Sequence, residues 1–257
     1  MDISVKGARI IWESGFSLPG LGEFMITSAI TNMWIVMAVI IALCLWLTSD
    51  LKVKGVSKKQ VVAEMLVQTV TNFVVGNMGK KFQGFIPFIA AMFALSAFSS
   101  LSSLFTLYAP TSDLSVVMGW AILVFILITY YKFKSNGAVG YLVGFTKPIF
   151  VLTPFNIISE IATPISMGFR HFGNIASGGI VNSLIYAALA ILSSAIFGGI
   201  ASLFGGDPNG FFATMPLFQA GIPAVLSIYF DVFSSCLQAF IFCMLTMMYV
   251  SAAAETE

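Results

Sequence analysis

An all-α, polytopic membrane protein of five membrane helices and one interfacial amphipathic helix is the fold that the sequence predicts, and three observations predict it. The first is composition: 58% of the 257 residues are apolar and 9% are charged, against roughly a quarter charged in soluble domains, and the mean hydropathy is +0.97. The second is the set of uncharged runs, from Phe24 to Ser49, Phe82 to Ser112, Leu114 to Tyr131 and Phe172 to Gly206, and a last one from Pro208 to Ala254 broken only by Asp231. A hydrocarbon core about 30 Å thick takes roughly 20 helical residues to cross, so these runs give five spans. The third is where the lysines fall.

Residues 1–23 carry Trp12, Glu13 and Glu23 ahead of the first apolar run. That run starts too late for a cleavable signal peptide, so the N-terminus is expected to be kept. Residues 24–49 are the first span. Residues 50–81 form a basic link holding Lys52, Lys54, Lys58, Lys59, Lys80 and Lys81, six of the twelve basic side chains. Inside it, Ser57 followed by Gln60 has the spacing of a capping box. Val62, Met65, Leu66, Val70, Phe73 and Val74 then recur at helical spacing opposite Glu64, Gln68, Thr71 and Asn72. This is an amphipathic connector that lies in the interface.

Residues 82–131 form a two-span hairpin around the lysine-free link Pro110–Asp113, with Asp113 placed to cap the next helix. Two more lysines, Lys132 and Lys134, follow in YYKFKSNG, and residues 148–254 supply the last pair of spans. Basic links stay on the cytoplasmic side. The N-terminus is therefore expected outside and the tail AAAETE inside. No repeat divides the chain, which reads as a single membrane domain.

The stretch ATPISMGFRHFGNIASGG sets Arg170 and His171 in the middle of an otherwise apolar segment. A cation at bilayer depth costs from about 3 to over 10 kcal/mol, which by default marks it as functional. A guanidinium is permanently charged, unlike a buried lysine or histidine. Ser166 and Asn174, four residues before and after, share its face and make a narrow polar stripe. The competing reading is an arginine that snorkels, or that is paired with Glu160 or Asp231.

On the last apolar stretch, Asp231 and Gln238 are seven residues apart, with Ser227, Ser234 and Ser235 near the same face. Asp231 is either a proton relay or a counter-charge for Arg170. Gln238 alone fits a helix–helix hydrogen bond equally well. Glu160, ahead of Pro164, either lines an aqueous entrance or caps a helix turn. His171 points about 100° away from Arg170, and is either titratable or a neutral packing residue.

Cys44, Cys236 and Cys243 lie in apolar runs without the histidine clustering of a metal site, and no phosphate-binding GxxxxGK[ST] is present. No metal, cofactor or nucleic-acid partner is expected. Any nucleotide chemistry is expected on other chains.

PFNIISEIATPISMGFRHFGN and, downstream, LQAFIFCMLTMMYVSAAAE resemble the two signatures of subunit a of rotary F-type ATP synthases. GKKFQGFIPFI and PTSDL fall in matching order, so the resemblance spans nearly the whole chain. It implies a stator channel in the cell membrane whose last two helices are long and steeply tilted against a rotating ring of c subunits. The peripheral-stalk b subunits and the complete two-sector complex are implied partners. By the same resemblance, Arg170 matches the family's essential arginine between two aqueous half-channels. Ser166 and Asn174 match its polar neighbours, and Gln238 the glutamine of the last helix. Gly179 and Asp231 depart from the glutamate and histidine that relatives often carry there, and His171 replaces the commoner leucine. The alternative is a self-contained transporter or channel that uses Arg170 as an anion site; it calls for inverted repeats or paired broken helices, and neither is visible.

Overall fold

The computed structural model describes residues 7–18, 22–49, 51–53, 57–105, 107–146, 149–203, 225–226 and 228–255. Two strands, β1 (Ile10–Leu18) and β2 (Gly22–Thr27), precede the helices α1 (Ser28–Thr48), α2 (Lys58–Met78), α3 (Ile86–Leu101), α4 (Leu114–Gly144), α5 (Thr153–Leu203) and α6 (Ser234–Ala254). Among the described residues, six helical stretches are long and apolar enough to cross a membrane, α6 being counted from Ile228. Five of them are the expected spans. The sixth is α2, whose mean hydropathy of 1.2 is the lowest of the set, as befits a helix with a polar face. The chain is a multi-pass membrane protein.

The N-terminal hairpin corrects the sequence reading, which began a span at Phe24. The backbone of Gly22–Thr27 instead pairs antiparallel with β1, Ile10 opposite Thr27 and Leu18 opposite Gly22, with two irregularities between them. Branched and aromatic residues such as Ile10, Ile11, Trp12, Phe24 and Ile26 favour strands over a helix start. The hairpin is tied to α1 where Ser28 N donates to the Arg9 carbonyl at 2.8 Å.

At the start of α2, Ser57 accepts from Gln60 N at 3.3 Å, which is half of a capping box. The Gln60 side chain goes elsewhere. Its oxygen accepts from Lys52 N (2.9 Å), and its amide donates to the Lys52 carbonyl (3.1 Å) and to Glu64 (2.8 Å). Gln60 thus staples the incoming chain onto the helix. Gly79, at φ 83°, closes α2 in the left-handed region that a residue with a Cβ resists.

Asp113 accepts from Ser115 N at 3.0 Å and caps α4. That helix runs past Tyr131 through both lysines of the expected link to Gly144, bending at Gly137 (φ 69°). Its lysine stems can carry their charges to the interface without ending the helix.

The core is built around α6. Phe242, Cys243, Met247, Val250 and Ala253 pack against Val74 and Met78 of α2, Ile89 and Met92 of α3, Trp120, Val124 and Ile128 of α4, and Met167 of α5. The 51-residue α5 is different: most of it is exposed, including Ile161, Phe169, Leu184, Ile191 and Leu203. At 1.5 Å per residue it is on the order of 75 Å long, more than twice the hydrocarbon thickness. It cannot cross upright within the core, and its outward apolar face is available to lipid or to a partner.

Candidate functional site

Arg170 sits in the interior of α5 and faces outward with Ser166 and Phe169, all three exposed. Among the described residues it has no ion pair. Glu160, one of the two carboxylates that the sequence offered as a partner, lies ten residues or about 15 Å away along α5 and is bonded to Lys132 Nζ at 2.5 Å. An unpaired guanidinium on an apolar surface can be tolerated only if a partner or water meets it there.

Asn174, one turn further along, bridges α5 to α6. Its amide donates to Ser234 Oγ at 2.8 Å and to the Ser234 carbonyl at 3.3 Å, and Ser234 Oγ approaches Asn174 Oδ1 at 3.0 Å. One turn beyond, Gly178 faces Phe230, where an added Cβ would lie at an ordinary contact distance of 3.7 Å from the ring. Gly179 faces open space.

His171 turns the other way and is wholly buried. Its Nε2 lies 3.3 Å from Ser96 Oγ on α3, and its ring meets Trp120 and Phe242 edge-on at 6.1 and 5.7 Å. It therefore fixes the rotation of α5 about its axis, and with it the outward direction of Arg170. Nδ1 is buried with no partner among the described residues.

The α6 side departs from the simple spacing argument. A π-helical turn spans Ile228–Phe233 and contains Asp231. The wider turn breaks the superposition that seven residues give in an uninterrupted α-helix. Asp231 is half-buried, whereas Gln238 faces the interior at 5% exposure. Ser227 lies outside the described residues.

Arg170, Ser166 and Asn174 thus share one stretch of α5, with Asn174 reaching the start of α6. His171 and Gln238 are directed inward, and Glu160 stands ten residues before Arg170 on the same helix. Sequence reasoning missed Lys132 and Tyr141 as neighbours of Glu160, and Ser96 as the partner of His171. These contacts join residues 19 to 75 positions apart, so no local pattern announces them.

Residues 30–251 match the family model described as ATP synthase A chain. The chain is similar to the ATP synthase subunit a of Desulforamulus reducens, 30% identical over 226 residues, which covers 87% of this chain and 78% of that protein. It is also similar to the sodium ion specific ATP synthase subunit a of Propionigenium modestum, 27% identical over 250 residues, covering 91% and 76%. A third similarity, to the subunit a of Priestia megaterium, reaches 34% identity over a shorter 149 residues.

Proposed function

We propose that this chain, which belongs to the ATP synthase A chain family, is a stator ion channel that uses Arg170 to unload the carboxylates of a rotating c-ring. The observation that carries the reading is the exposed guanidinium, without an ion pair among the described residues, in a narrow polar stripe on the outer face of a largely apolar helix. A ring carboxylate reaching that face from lipid must be neutral, since an exposed charge in hydrocarbon is prohibitive. Beside a fixed opposite charge the ionised form is favoured by about 1 to 3 pKa units. The site therefore releases its proton or sodium ion on approaching Arg170 and reloads only beyond it. The same charge opposes a direct leak between the two half-channels.

Ser166 and Asn174 supply hydrogen-bonding groups along the contact. Asp231 and Gln238 line the entry side, Glu160 the opposite side, and His171 holds the helix that carries Arg170. The basic links 50–81 and around Lys132 lie in the cytoplasm, which puts the N-terminus outside and the tail inside. Peripheral-stalk b subunits hold the chain still against the ring. Each charge that crosses draws about 2.3 kcal/mol per 100 mV, so several ions must pass per ATP.

Complexes reconstituted in liposomes test this. Arg170→Ala is expected to abolish ATP-driven pumping. Arg170→Lys is also expected to fail, because an ammonium lacks the forked, permanent charge. Measurable pumping by the lysine variant contradicts the mechanism. Mass spectrometry of the purified complex is expected to find ring and soluble ATPase subunits beside this chain.

A further inference from the structure

Two cavities meet at one ion pair. The outer cavity, about 830 Å³, is walled by polar and apolar groups in about equal measure from the ends of α4, α5 and α6, the polar ones including Asn136, Tyr141, Asn156 and Glu255. The inner cavity, about 170 Å³, is mostly apolar, with Phe125, Ile128, Pro164 and Tyr249 in its walls. Lys132 and Glu160 line both. The Glu160 side chain is 14% exposed and Lys132 31%; the Tyr141 hydroxyl donates to the other carboxylate oxygen at 3.5 Å. The titratable groups around the pair are Tyr141 on α4, Tyr249 on α6 and Glu255 just beyond it.

Three features make this junction a place of passage. Pro164 has no N–H, so the Glu160 carbonyl four residues before it is left without its helical bond and stays free to accept beside the carboxylate. The ammonium rides on a flexible four-carbon stem, on a helix that bends five residues later at Gly137. The inner cavity reaches Pro164, six residues or about 9 Å along α5 from Arg170.

We propose that the Lys132–Glu160 pair is a cation-operated gate between the two cavities, with Lys132 as its moving part; the proposal rests on the ion-channel reading above. Hydronium in the outer cavity passes its proton to Glu160 and leaves as water. The neutral carboxyl no longer holds the ammonium, which swings into the outer cavity. The carboxyl then gives its proton to water on the inner side, and the restored anion draws Lys132 back. A sodium ion seated against the carboxylate displaces the ammonium in the same way. Anions find no such exchange, so the gate passes cations.

The test uses the complete complex in liposomes, stripped of its catalytic sector, with passive proton or sodium flux read under an imposed potential. Lys132→Met is expected to raise flux up to about fivefold, the factor that a part-exposed ion pair can hold back. Glu160→Gln, which keeps the shape and leaves the ammonium unpaired, is expected to lower it. Flux equal to the unmodified complex in both variants overturns the gate. Should Lys132→Met fail to assemble, Lys132→Gln is combined with Thr163→Cys on the inner cavity wall, Cys44, Cys236 and Cys243 being replaced by alanine. A quaternary-ammonium thiosulfonate is expected to label Cys faster with glutamine at 132 than with lysine; equal rates overturn the gate. Arg170→Ala, in vesicles that keep the catalytic sector, separates the two levels. If it abolishes coupled pumping while the pair variants are silent, the gate alone fails; if it leaves pumping intact, the channel reading fails.

Discussion

The bond between His171 and Ser96 can be measured, because both partners are wholly buried and a fluorophore lies beside them. Replacing His171 by leucine strands the Ser96 hydroxyl, which costs about 1–3 kcal/mol. It also removes two edge-on ring contacts, to Trp120 and Phe242, at about 0.5–1.5 kcal/mol each. Against this, the unpartnered Nδ1 disappears, which returns about 1–3 kcal/mol. The net expectation is a loss of about 1–3 kcal/mol. Ser96→Ala alone strands Nε2 and is expected to cost a similar amount. In the double variant neither polar group is left behind, so the two losses should not add. The expected coupling is about 1 kcal/mol, above the mean of about 0.6 for hydrogen bonds between membrane helices. Unfolding in mixed micelles of increasing dodecyl sulfate fraction is followed by Trp120 emission, with Trp12, Trp34 and Trp46 changed to phenylalanine. His171→Gln, which can still reach Ser96, is expected to recover part of the loss. Additivity within about 0.3 kcal/mol refutes the claim that Ser96 and His171 fix the rotation of α5.

Three further outcomes are expected. Gly168→Ala places a Cβ 3.3 Å from the flexible Met118 sulfur and 3.5 Å from Ala121, so it is tolerated, whereas Gly168→Leu overpacks the α4–α5 contact by about 1–3 kcal/mol and lowers the melting temperature of the complex. Gln60→Ala removes the staple on Lys52, and trypsin is expected to cut between Lys52 and Lys59 faster in the intact complex. Asp231→Asn is expected to slow ATP-driven pumping more than it lowers the amount of assembled complex; pumping unchanged across pH leaves Asp231 a structural counter-charge.

What the sequence made legible follows from how far each signal reaches along the chain. Spans, the Asp113 cap and the polar stripe through Ser166, Arg170 and Asn174 are written within one or two helical turns. Hydrocarbon-length runs leave little choice once water is excluded, because every backbone group must then be bonded inside its own helix. The N-terminal hairpin escaped because a hydropathy window counts Phe24–Thr27 as membrane, although strand pairing claims their backbone. The π-helical turn at Ile228–Phe233 escaped because one extra residue in a turn leaves no compositional trace, and it undid the alignment of Asp231 with Gln238.

The fate of Glu160 shows a different limit. Read along the sequence, it had three outcomes, partner to Arg170, lining of an entrance or cap of a helix turn, and local spacing could not choose between them. The choice was made 28 residues upstream, by a lysine that the sequence valued only as a marker of orientation. Glu160 pairs with Lys132, and ten residues, about 15 Å, of one helix separate it from Arg170, which stands exposed on the outer face of α5. A fixed charge already neutralised within its own chain would have little attraction left for a passing carboxylate. Exchanging the charges of the pair, Lys132→Glu with Glu160→Lys, should retain assembly while placing a second cation on the helix that carries Arg170. Coupled pumping is expected to fall in that double variant although the ion pair itself is restored. Unchanged pumping there would mean that the two charges of α5 act independently.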